Sequence, residues 1–495
     1  MRHIALAGCL LLLLACDDSL SPGGGRVRII STVERDTIDA THDLVVEVRT
    51  PSGLPDSGVE VTFQVSDTND APLRWLTLEL RSGCCFTVTA RDTTDGQGRA
   101  SVTVIHGPVA GPGLVLVTPT GFGETDTARI TTTHGAAVGS RVLPADRPIA
   151  LGSSYQLSAL LVDRYSNTFP APVTFSTASP QIELSATGLV RGVAIGRARI
   201  VVQVGTQPDS AFTSVVPDAI LGVRDYSGAV GDSTGYGEMD LDGSNYRRLF
   251  NTDVMPIEYS PSNMLAPQWI PGTGRLVHLR TVAGVTRLFV GDSTGAAQRL
   301  IQSPGEITAE SDPDVSADGA WVYFVGHSAS GDAVWRVAAA GGVLEKVIPS
   351  SPSVQLRWPS VSPDGGRLVY VSASYAGDQF HAYVRDLTTG ETVPLSANEA
   401  AGPRWSPAGN LIMYAVSGPY AGYSGHLHVI SPDGTGDREL SNGAYFPGGT
   451  WSTDGRYVVV IEAEIPSTPE LINVASGLRL PLVYQRMWYG PAWRR

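Results

Sequence analysis

Lysine is all but missing from this sequence. Lys346 is the only one, and 35 basic residues face 48 acidic ones for a formal charge of −13. The arginines are scattered rather than clustered, so there is no basic stripe to track phosphates and no nucleic-acid partner is expected. Cysteine is scarce too: Cys9, Cys16, Cys84 and Cys85 complete the inventory. No pair has Cys-x-x-Cys spacing, and His-Glu-x-x-His and phosphate-cradling glycine loops are also missing, which removes zinc-finger, zincin and nucleotide-binding readings. Cys84 and Cys85 are neighbours, so on a strand their side chains point to opposite faces. Their Cα atoms lie too close for an ordinary disulfide, which leaves two independent thiols or a strained vicinal bridge. Long apolar runs are lacking as well, because the stretch 4–14 is too short to span a bilayer as a helix.

Glycine and proline are plentiful, at 55 and 34 residues, and they punctuate a repeat. The mark is an aromatic residue or Val followed by a tight turn: Trp269-Ile-Pro-Gly-Thr-Gly274, Val315-Ser-Ala-Asp-Gly319, Val361-Ser-Pro-Asp-Gly365, Trp405-Ser-Pro-Ala-Gly409 and Trp451-Ser-Thr-Asp-Gly455. Successive marks are 46, 46, 44 and 46 residues apart, and Trp493 follows after 42 more. A period of this length means propeller blades or a solenoid. Each mark precedes strand-like runs such as Arg367-Leu-Val-Tyr-Val-Ser372 and His381-Ala-Tyr-Val-Arg385. No helical period occurs, so the repeat predicts four short strands per unit. Pro presets φ at the first turn position, and Gly takes the positive φ that closes the hairpin.

These marks resemble the TolB-type β-propeller repeat with its Trp-Ser-Pro-Asp-Gly signature. The resemblance implies an all-β domain over 218–495. The stretch 218–250 has the late part of a blade with no mark ahead of it, and Met487-Trp-Tyr-Gly-Pro-Ala-Trp493 has an opening strand with no blade behind it. Joined, they complete a sixth blade and remove two open sheet edges.

At the other end, Met1-Arg-His leads into the apolar run 4–14, the shape of a secretory signal. Leu13-Leu14-Ala15-Cys16 resembles the bacterial lipobox. The resemblance implies a signal peptide over 1–15, lipidation of Cys16, a membrane anchor and a flexible tether over 16–25. The alternative is an ordinary signal peptide with a chance cysteine.

Two further domains are expected in between. In Val59-Glu-Val-Thr-Phe-Gln-Val65 the odd positions are apolar, as in a strand with one buried face. The region 26–134 resembles the bacterial Ig-like domains of invasin and intimin type, and the stretch 67–85 departs from them. The region 135–217, with Gly152-Ser-Ser-Tyr-Gln-Leu-Ser-Ala159 and Val173-Thr-Phe-Ser-Thr177, resembles the other common bacterial Ig-like family. Both imply antiparallel sandwiches. End to end they would make a stalk on the order of 60 Å long, from about 3.3 Å per strand residue.

Motifs that carry chemistry are decoys here. Gly231-Asp-Ser-Thr-Gly235 and Gly291-Asp-Ser-Thr-Gly295 match a nucleophile elbow, but that elbow needs a strand-to-helix turn. The second lies where the last hairpin of a blade must turn. Asp240-Leu-Asp-Gly-Ser-Asn245 lacks the donors of a calcium loop and reads as another hairpin turn. His426 and His428 share a strand face, His381 aligns with His426, and His278 and His327 lie in other blades. Equivalent strands of neighbouring blades diverge, so these histidines do not assemble a metal site. No catalytic residue, metal ligand or cofactor is assigned.

Function is expected on one rim of the propeller, where second-to-third loops and blade-to-blade connections meet. Tyr375, Phe380, Tyr420, Tyr423, Tyr445, Phe446, Trp488 and Tyr489 fall there, with Tyr259 and the acids Glu258, Glu306, Glu310 and Asp312. Aromatics in polar loops suit interface anchors or a sugar-stacking surface. The expectation is a non-catalytic, lipid-anchored envelope protein whose propeller binds a protein or glycan. The best-known member of the resembled family grips a peptidoglycan-associated lipoprotein; its small α/β domain has no counterpart here, so that partner is not carried over. Two alternatives stay open. One is a propeller enzyme, a metal-dependent lyase or a hydrolase, and the other an adhesin-like structural protein binding through its Ig-like domains.

Overall fold

The computed structural model describes residues 25–494 except 67–75, 80–85, 227–234, 252–266, 295, 300–304, 375–379, 418–424, 446–448, 463–468 and 483–486. Among these the chain is all-β, without a helix. Two compact units are present. One comprises 1–141, 159–172 and 204–209, and the other 142–158, 173–203 and 210–495. Cys16, Cys84 and Cys85 lie outside the described residues.

In the first unit, Arg26–Ser31, Thr41–Arg49, Arg99–His106, Leu76–Glu79 and Phe86–Thr87 lie side by side in one sheet. A second sheet runs Arg35–Thr37, Asp126–Thr133, Gly111–Pro119, Glu60–Ser66 and Thr89–Thr93. Strict alternation decides what each strand buries. Val61, Phe63 and Val65 face inward, as do Ala100, Val102 and Val104 after the Asp95–Gly98 turn. Their side chains meet Leu44, Val46, Val48, Val115 and Val117 in one core, so the two sheets enclose a single apolar layer.

The second unit contains six four-stranded antiparallel sheets. Five follow chain order and open with Gln268–Ile270, Ala309–Val315, Val354–Val361, Ala400–Trp405 and Thr450–Trp451. The sixth is assembled from both ends of the stretch 220–493: Met487–Trp493 pairs antiparallel with Ile220–Tyr226, which continues into Gly235–Asp240 and Arg247–Asn251. Leu221 lies opposite Trp493 and Asp225 opposite Trp488. Each sheet buries its faces against the next. Ile270 and Val277 meet Val322 and Phe324; Tyr323 and Val334 meet Leu368; Val369 and Val371 meet Trp405 and Tyr414; Met413 and Leu427 meet Trp451 and Val458. Val459 and Leu471 then meet Leu221, Val223 and Trp493, and Leu249 meets Trp269 and Leu276. The packing therefore returns to the sheet where it began.

The turn after each mark shows why Ser and Asp recur. Ser362 Oγ accepts the N–H of Arg367 at 2.8 Å and donates to Asp364 Oδ1, which accepts the N–H of Gly366 at 3.0 Å. Ser316 with Asp318 and Ser452 with Asp454 repeat this. Where the sequence has Ala408 in place of Asp, Asn410 Oδ1 accepts from Ser406 at 3.0 Å instead. Gly319, Gly365, Gly409 and Gly455 take φ between 69° and 71°, the left-handed region that disfavours a Cβ. Two of the three decoys are turns, as expected, and residues 231–234 of the third lie outside the described residues. Gly243 N–H donates to Asp240 O, and Asp292 N–H donates to Ala296 O between Val285–Gly291 and Ala297–Arg299.

Candidate binding site

The first strand of each sheet lies at its edge, and on it or directly before it a proline stands two residues before the mark: Pro267, Pro313, Pro359, Pro403 and Pro491, with Gly449 taking that place before Trp451. Proline donates nothing to a ladder and survives only at edges and bulges. Four of these strands bulge just there, three of them with left-handed backbone, at Asp312 (φ 50°), Trp358 (φ 48°) and Gly402 (φ 58°). Glycine fits that conformation, Asp tolerates it, and a bulky Trp is a strained exception. The bulge re-aims the residue between Pro and the mark. Gln268, Asp314, Ser360, Arg404 and Thr450 accordingly line a common cavity of about 230 Å³.

Four of these residues, Asp314, Ser360, Arg404 and Thr450, also stitch sheet to sheet. Asp314 Oδ2 accepts the N–H of Val361 at 2.9 Å, Ser360 Oγ that of Trp405 at 3.4 Å, and Thr450 Oγ1 that of Trp493 at 3.1 Å. In each case the acceptor precedes one mark and the donor is the next mark along. Arg404 breaks the pattern by reaching two sheets back. Its Nη1 lies 3.1 Å from Asp314 Oδ1, and its carbonyl accepts the Trp451 indole N–H at 3.1 Å. Pro271, Ala317, Pro363, Pro407 and Thr453, all from the turns after the marks, complete the wall.

The cavity therefore opens at the rim of the signature turns. Strand direction puts that rim at the far end of the first strand from the blade-to-blade connections, where the aromatic surface is expected. Of that surface, Tyr375, Tyr420, Tyr423 and Phe446, with Tyr259 and Glu258, lie outside the described residues. Trp488 and Tyr489 belong to the strand Met487–Trp493. Phe380 packs partly buried against Trp358, ring centroids 6.2 Å apart. Tyr445 is fully buried, with its hydroxyl 2.7 Å from both Ser441 Oγ and Glu470 Oε2. Burial foremost, and the Glu470 carboxylate, push its pKa well above the usual tyrosine range. It is a wall residue.

Two of the acids expected on that rim are also interior. Glu310 is fully buried, accepting the N–H of Leu288 at 2.6 Å and pairing with Arg287 at 3.3 Å. Asp312 is fully buried too, and burial raises its pKa against the pull of Arg357. Only Glu306 is exposed, paired with Lys346 at 2.6 Å.

The histidines of the second unit do not gather at one point. His278 is buried among Tyr236, Phe250 and Phe289, and neither ring nitrogen has a partner. His426 pairs with Glu439 and His428 with Asp437. His381 stands opposite Ser372. His327 Nε2 lies 2.9 Å from Ser311 Oγ, and its Nδ1 lies 2.7 Å from Asp332 Oδ1. That is the connectivity of a nucleophile triad. Ser311, however, is only 6% exposed, and Asp312 Oδ2 competes for its proton at 3.3 Å. Asp332 Oδ2 meanwhile accepts the N–H of Leu356 in the next sheet. The trio fastens one sheet to another.

Residues 249–455 match the family described as the TolB beta propeller domain. An uncharacterized protein of Agrobacterium fabrum is 28% identical over 135 residues, so the chain spans 43% of that relative's length. Among solved structures, TolB from Acinetobacter baumannii aligns at 15% identity and TM-score 0.45, covering 65% of this chain and 82% of that one. A TolB-type protein of Agrobacterium tumefaciens aligns at 17% identity and TM-score 0.42, covering 56% and 99%.

Proposed function

We propose that this TolB-like β-propeller is a non-catalytic binding module, closed into six blades by the strand Met487–Trp493, which receives a side chain of an envelope protein or glycan in its central cavity. The cavity carries the reading. At about 230 Å³ it falls below the range of roughly 300–1,000 Å³ usual for small-molecule and cofactor pockets. It suits a single anchoring group of a larger partner. Its lining includes one carboxylate, Asp314, already engaged by Arg404 and the Val361 N–H, so among the described residues no free base faces the space. The cycle of packed faces and the bond from Trp493 N–H to Thr450 support closure. In this reading 26–134 and 135–217 are Ig-like spacers, and lipidated Cys16 holds the chain at a bacterial envelope membrane.

The test uses the full chain as bait for envelope extract. Ala317→Trp fills the exposed cavity mouth without removing a hydrogen bond, and Tyr420→Ala with Tyr423→Ala tests the aromatic rim expected from the sequence. Capture lost on Ala317→Trp at unchanged melting temperature supports the cavity. Capture lost only on the tyrosine substitutions moves the site to the aromatic rim. Capture unchanged by both contradicts binding at either.

A further inference from the structure

The first unit brings two imidazoles and a carboxylate to one point. His42 lies on Thr41–Arg49 and His106 ends Arg99–His106, in one sheet, whereas Asp36 lies on Arg35–Thr37 in the other. His42 stands opposite Val104, so His106, two residues on, is its diagonal neighbour on the same face. One ligand atom from each of Asp36, His42 and His106 falls within 4.8 Å of the others. His106 Nε2 and His42 Nδ1 are 3.3 Å apart. That separation is about the N···N edge of a tetrahedron with metal–nitrogen bonds of 2.0–2.1 Å.

The outward ring nitrogens are held as ligands require. His106 Nδ1 lies 2.8 Å from Thr132 Oγ1, and His42 Nε2 lies 3.5 Å from Thr32 Oγ1. Each ring thus has a hydroxyl on one nitrogen and turns the other toward its partner. Outer partners of this kind fix the tautomer and orientation of metal-bound imidazoles. The Asp36 carbonyl accepts from Thr133 Oγ1 at 3.0 Å, and its Oδ1 accepts the N–H of Thr37 at 2.8 Å, which leaves Oδ2 for a further ligand. His106 is 1% exposed, so one side of the site is dry.

We infer that His42, His106 and Asp36 form a binding site for a divalent transition-metal ion of the zinc type, with a fourth position open to water. Because the ligands come from both sheets, the ion would staple the sandwich. Neutral imidazoles with one carboxylate favour zinc and its neighbours over calcium or magnesium, which take oxygen ligands.

The test titrates zinc alone into the tag-free full chain by calorimetry and repeats the titration with His42→Ala, Asp36→Asn and Thr132→Val. Cobalt substitution reports the geometry. One equivalent of zinc, a tetrahedral cobalt spectrum and a zinc-dependent rise in melting temperature are expected. All three should be lost in His42→Ala. Thr132→Val should bind about 10–100-fold more weakly. Asp36→Asn keeps volume and backbone contacts, so its weaker binding cannot be put down to misfolding. Absence of zinc binding in the parent protein, or binding by His42→Ala and Asp36→Asn as tight as the parent's, overturns the proposal.

Discussion

Arg404 holds its charge against Asp314 with the two side chains only 9% and 12% exposed. Removing one partner strands the other in a poorly solvated wall, so Arg404→Ala should cost about 3 kcal/mol in denaturant unfolding. Asp314→Asn should cost less, because the amide oxygen can still accept the Val361 N–H. An equal loss from both would show that charge matters more than the inter-sheet bond. His278 makes the opposite case. Burial foremost, then Arg280, lowers its pKa from 6.5 to about 3. The unfolded chain therefore binds a proton that the folded one refuses, and stability falls as pH drops from 6.5 toward 3. His278→Phe should flatten that acid limb and, by removing two unpartnered buried nitrogens, gain about 1 kcal/mol at neutral pH. A variant with an unchanged acid limb would place the proton elsewhere.

The signature turn behaves as a small machine built on serine. Sequence reasoning credits Pro and Gly for its shape, and the positive φ of Gly365 agrees. It does not reveal that Ser362 joins the turn's two ends, since a hydroxyl has no period and no directional mark in a sequence. Ser362→Ala should cost about 1 kcal/mol for the lost bonds. Gly365→Ala meets open space, so its cost is backbone conformation alone, roughly 1–2 kcal/mol. Thermal unfolding of both variants checks the ranking. The cavity residues were hidden for a related reason. Gln268, Asp314, Ser360, Arg404 and Thr450 share a place and no chemistry, so no motif joins them. The visible signal is the proline ahead of four of them, Gln268, Asp314, Ser360 and Arg404, a residue out of character in a strand. Glu310 and Asp312 misled because acids near a loop read as surface. Here Glu310 is drawn inward by the Leu288 N–H and Arg287.

Across 218–495, period and alternation are enough to locate the sheets and the C-terminal strand. Alternation likewise gave the buried faces of the first unit. The meeting of His42, His106 and Asp36 was illegible, because it depends on how two sheets face each other and not on spacing along the chain. What binds the six sheets into one platform is the strand Met487–Trp493, whose Trp493 enters the core formed with Val459 and Leu471. Without it, the strand Ile220–Tyr226 gains a bare edge. Only a closed platform holds the cavity-lining strands at fixed spacing, so the proposed binding would depend on that closure.

The most direct measurement is equilibrium unfolding of the full chain beside one ending at residue 487. The account predicts that the shortened chain aggregates or loses the cooperative transition of its second unit. An unchanged melting temperature would contradict it.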